Sequence, residues 1–342
     1  MTRAKGSSFA LVYEDDKPSS RMSITTPAHI ARRHLDSMLT HLPGALDGDV
    51  ESVHQARVAT RRLREVVPLI DDRPPKIAEV LQQAGRQLGR VRELDVMGEL
   101  MDSLGSRLPT AAAAEWHDAR HAVRERQRSS RRRMVKALEQ LELESLRNAF
   151  SGHAWTDRWL PRPLFKRSWV ELIWDRIASR SSEAVAAVER APAVYFPNRT
   201  HQARIAVKKL RYTMEMAADT GVWRHERVLN DLRRIQTLLG SVHDAQILMD
   251  TLDDLRRSPE PTTASTSFLK AVLDGEIDRQ HARYAKRRDR IRQIAAACSR
   301  ARADAHHQWR FPAPLIAASV FTAPVLIESV APWSRRRRAI HG

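Results

Sequence analysis

The chain has a single cysteine, Cys298, in 342 residues. That excludes an intramolecular disulfide and any cysteine-rich zinc site, and it fits an intracellular protein. Glycine is scarce at 12 residues, and aromatics are only 6%. With runs rich in Ala, Leu, Arg and Glu, these shortages argue for helices and against sheets. Met1 to Arg21 contains no apolar core, so it does not read as a secretory signal. The one long uncharged stretch, Phe311 to Ile327, is shorter than the roughly 20 residues a spanning helix needs, and it carries Pro312, Pro314 and Pro324. It reads as a docked tail, with no stable membrane insertion expected. Acidic residues are in deficit as well: 58 Lys and Arg face 41 Asp and Glu, a formal net charge of +17. Such an excess attracts polyanions, whether nucleic acid, anionic lipid, acidic protein or inorganic polyphosphate.

What is present is a repeat. Val53 to Val67 reads VHQARVATRRLREVV, and Thr200 to Met214 reads THQARIAVKKLRYTM. From His54/His201 to Arg64/Arg211, seven of eleven positions are identical and three more are Val/Ile or Arg/Lys exchanges. Leu88-Gly89-Arg90-Val91 then matches Leu239-Gly240-Ser241-Val242, followed by the acids Glu93 and Asp244. Each half closes on a basic run: Arg120 to Lys136 with one acid, Glu125, and Arg279 to Arg292 with one acid, Asp289. The halves thus share an order of motif helix, Leu-Gly helix and basic helix.

Breakers at Pro27, Pro43-Gly44, Asp71-Asp72 with Pro74-Pro75, and Pro109 divide the first half into about four helices. Pro192, Pro197, Gly221 and Pro259-Pro261 divide the second half likewise, with Phe150 to Pro163 as the junction. Hydrophobic residues, at 42%, suffice for buried cores. The expected fold is all-α: a mobile segment over 1–24, a four-helix bundle over 25–155, a second over 164–300, and a C-terminal tail over 301–342.

At 100° per residue, His54, Arg57, Arg61 and Arg64 fall on one helical stripe, and Ala56, Ala59, Leu63, Val66 and Val67 fall opposite. The second copy repeats this with His201, Arg204, Lys208 and Arg211 against Ala203, Ala206, Leu210 and Met214. Like charges at this spacing repel by a few tenths of a kcal/mol per pair. Within the motif only Glu65 offsets them, besides any acids on neighbouring helices. An uncompensated stripe on one helix is usually a solvated face; its recurrence in register points instead to a multivalent anion. Arg grips phosphate oxygens in a bidentate way, Lys acts as a point charge, and His donates most strongly when protonated. No second His or carboxylate sits one turn away at metal-ligand spacing, so no metal site and no cofactor are expected.

At these residues the sequence resembles the CHAD family, the conserved histidine α-helical domain. The resemblance rests on His54-Gln55-Ala56-Arg57-Val58 with Arg61-Arg62-Leu63-Arg64, on Leu88 to Val96, and on His201-Gln202-Ala203-Arg204-Ile205 with Lys208-Lys209-Leu210-Arg211-Tyr212. It extends from about residue 25 to about residue 300. It implies two four-helix bundles related by a pseudo-twofold axis, a basic surface or channel between them, and binding of inorganic polyphosphate. The implied phosphate contacts are His54, Arg57, Arg61 and Arg64 with His201, Arg204, Lys208 and Arg211. Arg86 and Arg90, one turn apart, are implied additions. Some members are fused to a triphosphate-processing domain with an alternating Glu-x-Glu-x-Lys strand. Here Glu142-Leu143-Glu144 is followed by Ser145-Leu146, which implies a stand-alone member. Ser241 stands where the first copy has Arg90, so the halves are not equivalent.

Three functions compete. A polyphosphate-binding module would work by charge neutralisation and weaken steeply with salt. An enzyme would use His54 or His201 as phosphoryl acceptor or acid/base, but no glycine-rich phosphate loop, paired carboxylates or nucleophile–base pair accompanies them. A nucleic-acid binder would use the arginine-rich fourth helices, but aromatics rarely interleave with them and no known reading motif is present. The expectation is a non-enzymatic, cytoplasmic polyphosphate binder on polyphosphate granules, with weak nucleic-acid binding at low salt.

Overall fold

A computed structural model of the chain describes residues 25–70, 76–105, 108, 110, 113–141, 168–191, 194–256 and 267–308. Among these residues every regular element is helical: α1 (Pro27–Leu46), α2 (Val50–Val66) with a 3-10 turn at Val67–Leu69, α3 (Ile77–Gly105), α4 (Ala113–Glu139), α5 (Trp169–Arg190), α6 (Pro197–Asp219), α7 (Glu226–Arg256), α8 (Ser267–Ala285) and α9 (Asp289–Gln308). The segments read as a mobile N-terminus, as the junction at Phe150 to Pro163 and as the apolar stretch Phe311 to Ile327 lie outside the described residues. No described helix is long and apolar enough to cross a membrane.

Local chemistry sets the helix ends. Thr26 accepts from the His29 backbone N–H at 3.4 Å and Pro27 stands at the first position of α1, where its missing N–H has no partner to lose. Pro43-Gly44 does not end α1 as the sequence predicts. Pro43 lies inside the last turn, and the chain turns at Asp47-Gly48, where Gly48 has φ +89°. That left-handed residue is the stronger stop. Asp49 then caps α2 by accepting from Ser52 N–H at 2.8 Å. Ser168 and Glu171 form a reciprocal capping box on α5. Pro197 opens α6, and Gly221 follows its end.

Chain neighbours pack in the same order in both halves: α1 on α2, α2 on α3 and α3 on α4, then α5 on α6, α6 on α7 and α7 on α8. The two motif helices α2 and α6 pack on each other, as do the two long helices α3 and α7. The apolar faces behave as the pattern predicts. Ala56, Ala59, Leu63, Val66 and Val67 are buried, as are Ala203, Ala206, Leu210 and Met214. The halves share core: Met97, Met101 and Leu104 of α3 and Val123 of α4 join Val242, Leu248 and Leu252 of α7 and Leu273 of α8 in one cluster. Polar ties add to it. Arg176 of α5 donates to the Glu65 carbonyl at 2.7 Å near the end of α2, and His34 of α1 meets Asp219 of α6 at 3.6 Å.

The second basic run is not one helix. The chain turns at Lys286–Arg288, between α8 and α9. There Arg288 donates to the Val188 carbonyl at 3.2 Å, in the last turn of α5, where the Ala191 N–H also donates to it at 3.2 Å. By contacts the chain divides at Arg300 into a first and a second unit. Of the second, residues 301–308 are described, as the end of α9, so the segment read as a tail begins helically.

Candidate functional site

Because the alanine-rich faces of α2 and α6 are buried, the His/Arg stripes lie on the faces that remain, and they meet where α2 packs on α6. Arg57 and Arg61 from α2 both act electrostatically on Lys208 of α6, and Arg57 also acts on Arg204. Cations of the two stripes are thus brought near one another. On α3, Gly89 lies beside this surface: a Cβ there would meet Arg57 Nε at 3.8 Å, an ordinary contact, so Arg57 lies over this turn of α3.

The crowding shifts the ionisation of the cations themselves. Burial, reinforced by Arg204, Arg57 and Arg61, pulls the Lys208 ammonium down to about 8. Burial also lowers the Arg61 guanidinium to about 10, with Arg211 and Arg57 adding to the effect and Tyr212 and Glu215 opposing it. Arg204 is lowered for the same first reason, against the pull of Asp244. Arg57, Arg204 and Lys208 form no close ion pair with a described carboxylate. They are half-buried cations held near one another.

Arg211 differs from its stripe neighbours. It is bound to the Glu215 carboxylate and to Gln236 Oε1, so its charge is already compensated. Arg61 reaches the same carboxylate at 4.0 Å. Glu65, the acid inside the first motif, is turned to Arg176 instead, at 4.0 Å. Asp244 and Glu93, the acids that follow the two Leu-Gly motifs, act on Arg204. Burial pushes the Asp244 carboxyl up to about 6 despite Arg204, and the charge of Glu93 assists the rise.

The histidines open the two stripes differently. His54 is lowered by burial and by Arg92, with Arg57 and Arg61 adding, and its Nδ1 is buried without a protein partner. His201 Nδ1 lies 3.4 Å from His243 Nδ1, a hydrogen bond in which one Nδ1–H donates and the other ring, unprotonated at Nδ1, accepts. Burial and the nearby Arg204 lower His243 to about 4. Sequence reasoning missed His243. The available signal was its register, since His243 falls opposite Arg92 when the Leu-Gly motifs are aligned.

Not every predicted contact joins the cluster. Arg64, Arg86 and Arg90 are exposed, and none is among the groups that shift Lys208 or Arg204. The basic runs are partly consumed by structure. Arg120 holds Asp102 through two bonds of 2.9 and 2.7 Å, and Arg131 holds buried Asp95 at 3.0 Å. In the second run, Arg292 pairs with Glu189 at 3.1 Å and with Asp289 at 2.9 Å. Among the described residues no group of three His, Cys, Asp or Glu is placed to hold a metal ion.

The CHAD domain family model matches residues 29–253 of the chain. Among solved structures, the chain is similar to the crystal structure of the CHAD domain from the plant Ricinus communis, with 21% identity and a TM-score of 0.58 over 82% of this chain and 94% of that one. It is also similar to PptA from Streptomyces chartreusis, with 15% identity and a TM-score of 0.48 over 81% of this chain and 100% of that one. No curated protein sequence matches it.

Proposed function

The chain belongs to the CHAD family, and from that membership we propose that it binds inorganic polyphosphate across the α2–α6 contact, without catalysing its turnover. The observation that carries this reading is the set of Arg57, Arg204 and Lys208, held together from both motif helices with no close ion pair to a described carboxylate. Bringing these charges together costs energy in the free protein, through repulsion and desolvation. A linear anion with one negative charge per phosphate recovers that cost and releases counterions as it binds.

Each contact has a role. Arg57, Arg61 and Arg204 donate in pairs to phosphate oxygens, Lys208 supplies a point charge, and His54 and His201 donate at the ends of the stripes. Arg64, Arg86 and Arg90 extend the contact along exposed surface, and Arg211 exchanges Glu215 for phosphate at a cost. In this reading the histidines bind phosphate rather than accept a phosphoryl group: among the described residues neither forms an ion pair or hydrogen bond with a carboxylate, though Glu51 acts on His54 and Glu93 on His201 from further off. Polyphosphate binding of this kind would concentrate the protein on cytoplasmic polyphosphate granules, and a tagged copy that stays diffuse in granule-containing cells would contradict that part.

Competition separates polyphosphate from nucleic acid as ligand. Long-chain polyphosphate is expected to displace duplex DNA from the protein at about 0.15 M salt, with no displacement in the reverse direction. DNA that holds its place against polyphosphate would move the function to the exposed arginines of α4 and α8.

A further inference from the structure

A cavity of about 430 Å³ opens where α6 begins beside the middle of α7, and the polyphosphate reading uses only His201 of its lining. His201 and His243 line it, and both rings also feel Arg204 and Lys208. The histidine pair thus stands between the cavity and the cationic cluster. Its volume lies within the range of small-molecule sites, roughly 300–1,000 Å³.

The walls differ in character from the basic stripe. Leu239, Val242 and Ile247 supply an apolar side. Along another side, the Tyr195 hydroxyl donates to Gln246 Oε1 at 2.9 Å, and Gln246 Nε2 donates to Asp250 Oδ1 at 2.9 Å. That row ends in a carboxylate, so it repels phosphate and accepts from an amino group.

At the corresponding positions of the first half an arginine side chain fills the space. In the register of the two motifs, Gly48 falls opposite Tyr195 and Asp95 opposite Gln246. Arg131 of α4 bridges Gly48 and Asp95, donating to the Gly48 carbonyl and to Asp95 Oδ1. In the second half the corresponding helix brings up the shorter His281, its ring 5.4 Å from that of Tyr195. One half is plugged by an arginine; the other is left open.

We propose that this cavity seats the base of a nucleoside polyphosphate, with the phosphates running from His201 onto Arg204 and Lys208. An inorganic phosphate chain has no group that profits from an apolar wall or from Asp250. A planar, amino-bearing base profits from both: its faces lie against Ile247 and Val242, and its amino group donates to Asp250. From His201 to Lys208 the helix rises about 10 Å, a span suited to a short phosphate chain. The phosphate end of this inference rests on the proposed polyphosphate site; the base end does not.

The test is calorimetric titration of the full chain with ATP and with inorganic tripolyphosphate, without metal, at about 0.15 M salt. ATP is expected to bind about tenfold more tightly than tripolyphosphate, because the base removes apolar surface from water. Asn198→Trp at the exposed mouth and Ile247→Phe on the wall are expected to erase that advantage and leave long-chain polyphosphate affinity unchanged, with circular dichroism as the folding control. ATP binding no tighter than tripolyphosphate, or unchanged in both variants, would overturn the proposal. ATP binding that keeps its advantage in a chain that fails to bind long polyphosphate would overturn the proposed function and leave the pocket standing.

Discussion

The Arg61 guanidinium carbon lies 3.7 Å from the centre of the Tyr212 ring, a contact between the two motif helices. Arg211, beside Tyr212 in sequence, lies 4.7 Å from the same centre. Tyr212 thus carries two arginines of opposite stripes on one buried ring. Where the first copy of the motif has Glu65, the second has this tyrosine. The departure from the repeat is what lets the two copies pack on each other with their cations adjacent.

Replacing Tyr212 with Leu removes the ring and keeps an apolar side chain. The expected loss is about 1–2 kcal/mol of unfolding free energy, from the cation–π contact and imperfect repacking. Tyr212→Phe keeps the ring and is expected to retain most of that stability. Urea unfolding of the two variants checks this; equal losses would show that the hydroxyl, not the ring face, matters.

Arg131 belongs to the basic run of α4 but acts as a structural plug on Asp95, which is 3% exposed. Arg131→Met leaves that carboxylate unpaired and is expected to cost about 2–4 kcal/mol of stability. Adding Asp95→Leu is expected to restore much of it. Polyphosphate affinity is expected to change little in the double variant. A large loss of affinity at restored stability would place Arg131 in the binding surface.

Much of this was legible in the chain. The register of His54-x-x-Arg57 against His201-x-x-Arg204 fixed which faces are buried and which carry charge, because helical periodicity depends on spacing alone. That the two stripes approach each other depends on the packing of α2 on α6, which their repetition alone does not dictate. Other features depend on partners distant in sequence. Arg120 and Arg131 look like any members of a basic run until Asp102 and Asp95 are placed beside them. Arg211 shares its stripe with Lys208, yet Glu215 and Gln236 compensate it. Pro43 was read as a break, but near the end of a helix the proline disrupts little, and Gly48 sets the turn.

The pH dependence of binding follows from the free-state protonation. His54, His201 and His243 are lowered first by burial and then by neighbouring cations, Lys208 is held at about 8 for the same reasons, and Asp244 is raised to about 6. A bound polyanion favours the protonated form of every one of these groups, so each pKa rises on binding. Affinity is then largest at low pH and is lost as pH rises through these values: first the contributions of Asp244 and the histidines, then that of Lys208 above about 8. Titrations at neutral pH in buffers of different ionisation enthalpy are expected to show net proton uptake. Lys208→Arg is expected to remove the alkaline part of the fall. Net proton release on binding would contradict the assignment of these groups to the site.

The central claim is that cations from both copies of the motif form one polyanion site. The most direct measurement is calorimetric titration of the variant Arg57→Ala, Arg61→Ala, Arg204→Ala, Lys208→Ala with long-chain polyphosphate at about 0.15 M salt, beside circular dichroism of the same sample. Each charge-assisted contact is worth roughly 1.5–3 kcal/mol, less where solvent reaches it, so pairs removed from one helix are expected to weaken binding moderately. All four together are expected to abolish measurable binding while helicity is retained, because the buried faces of α2 and α6 are untouched. Full affinity in the four-site variant, with helicity intact, would show that the polyanion binds elsewhere.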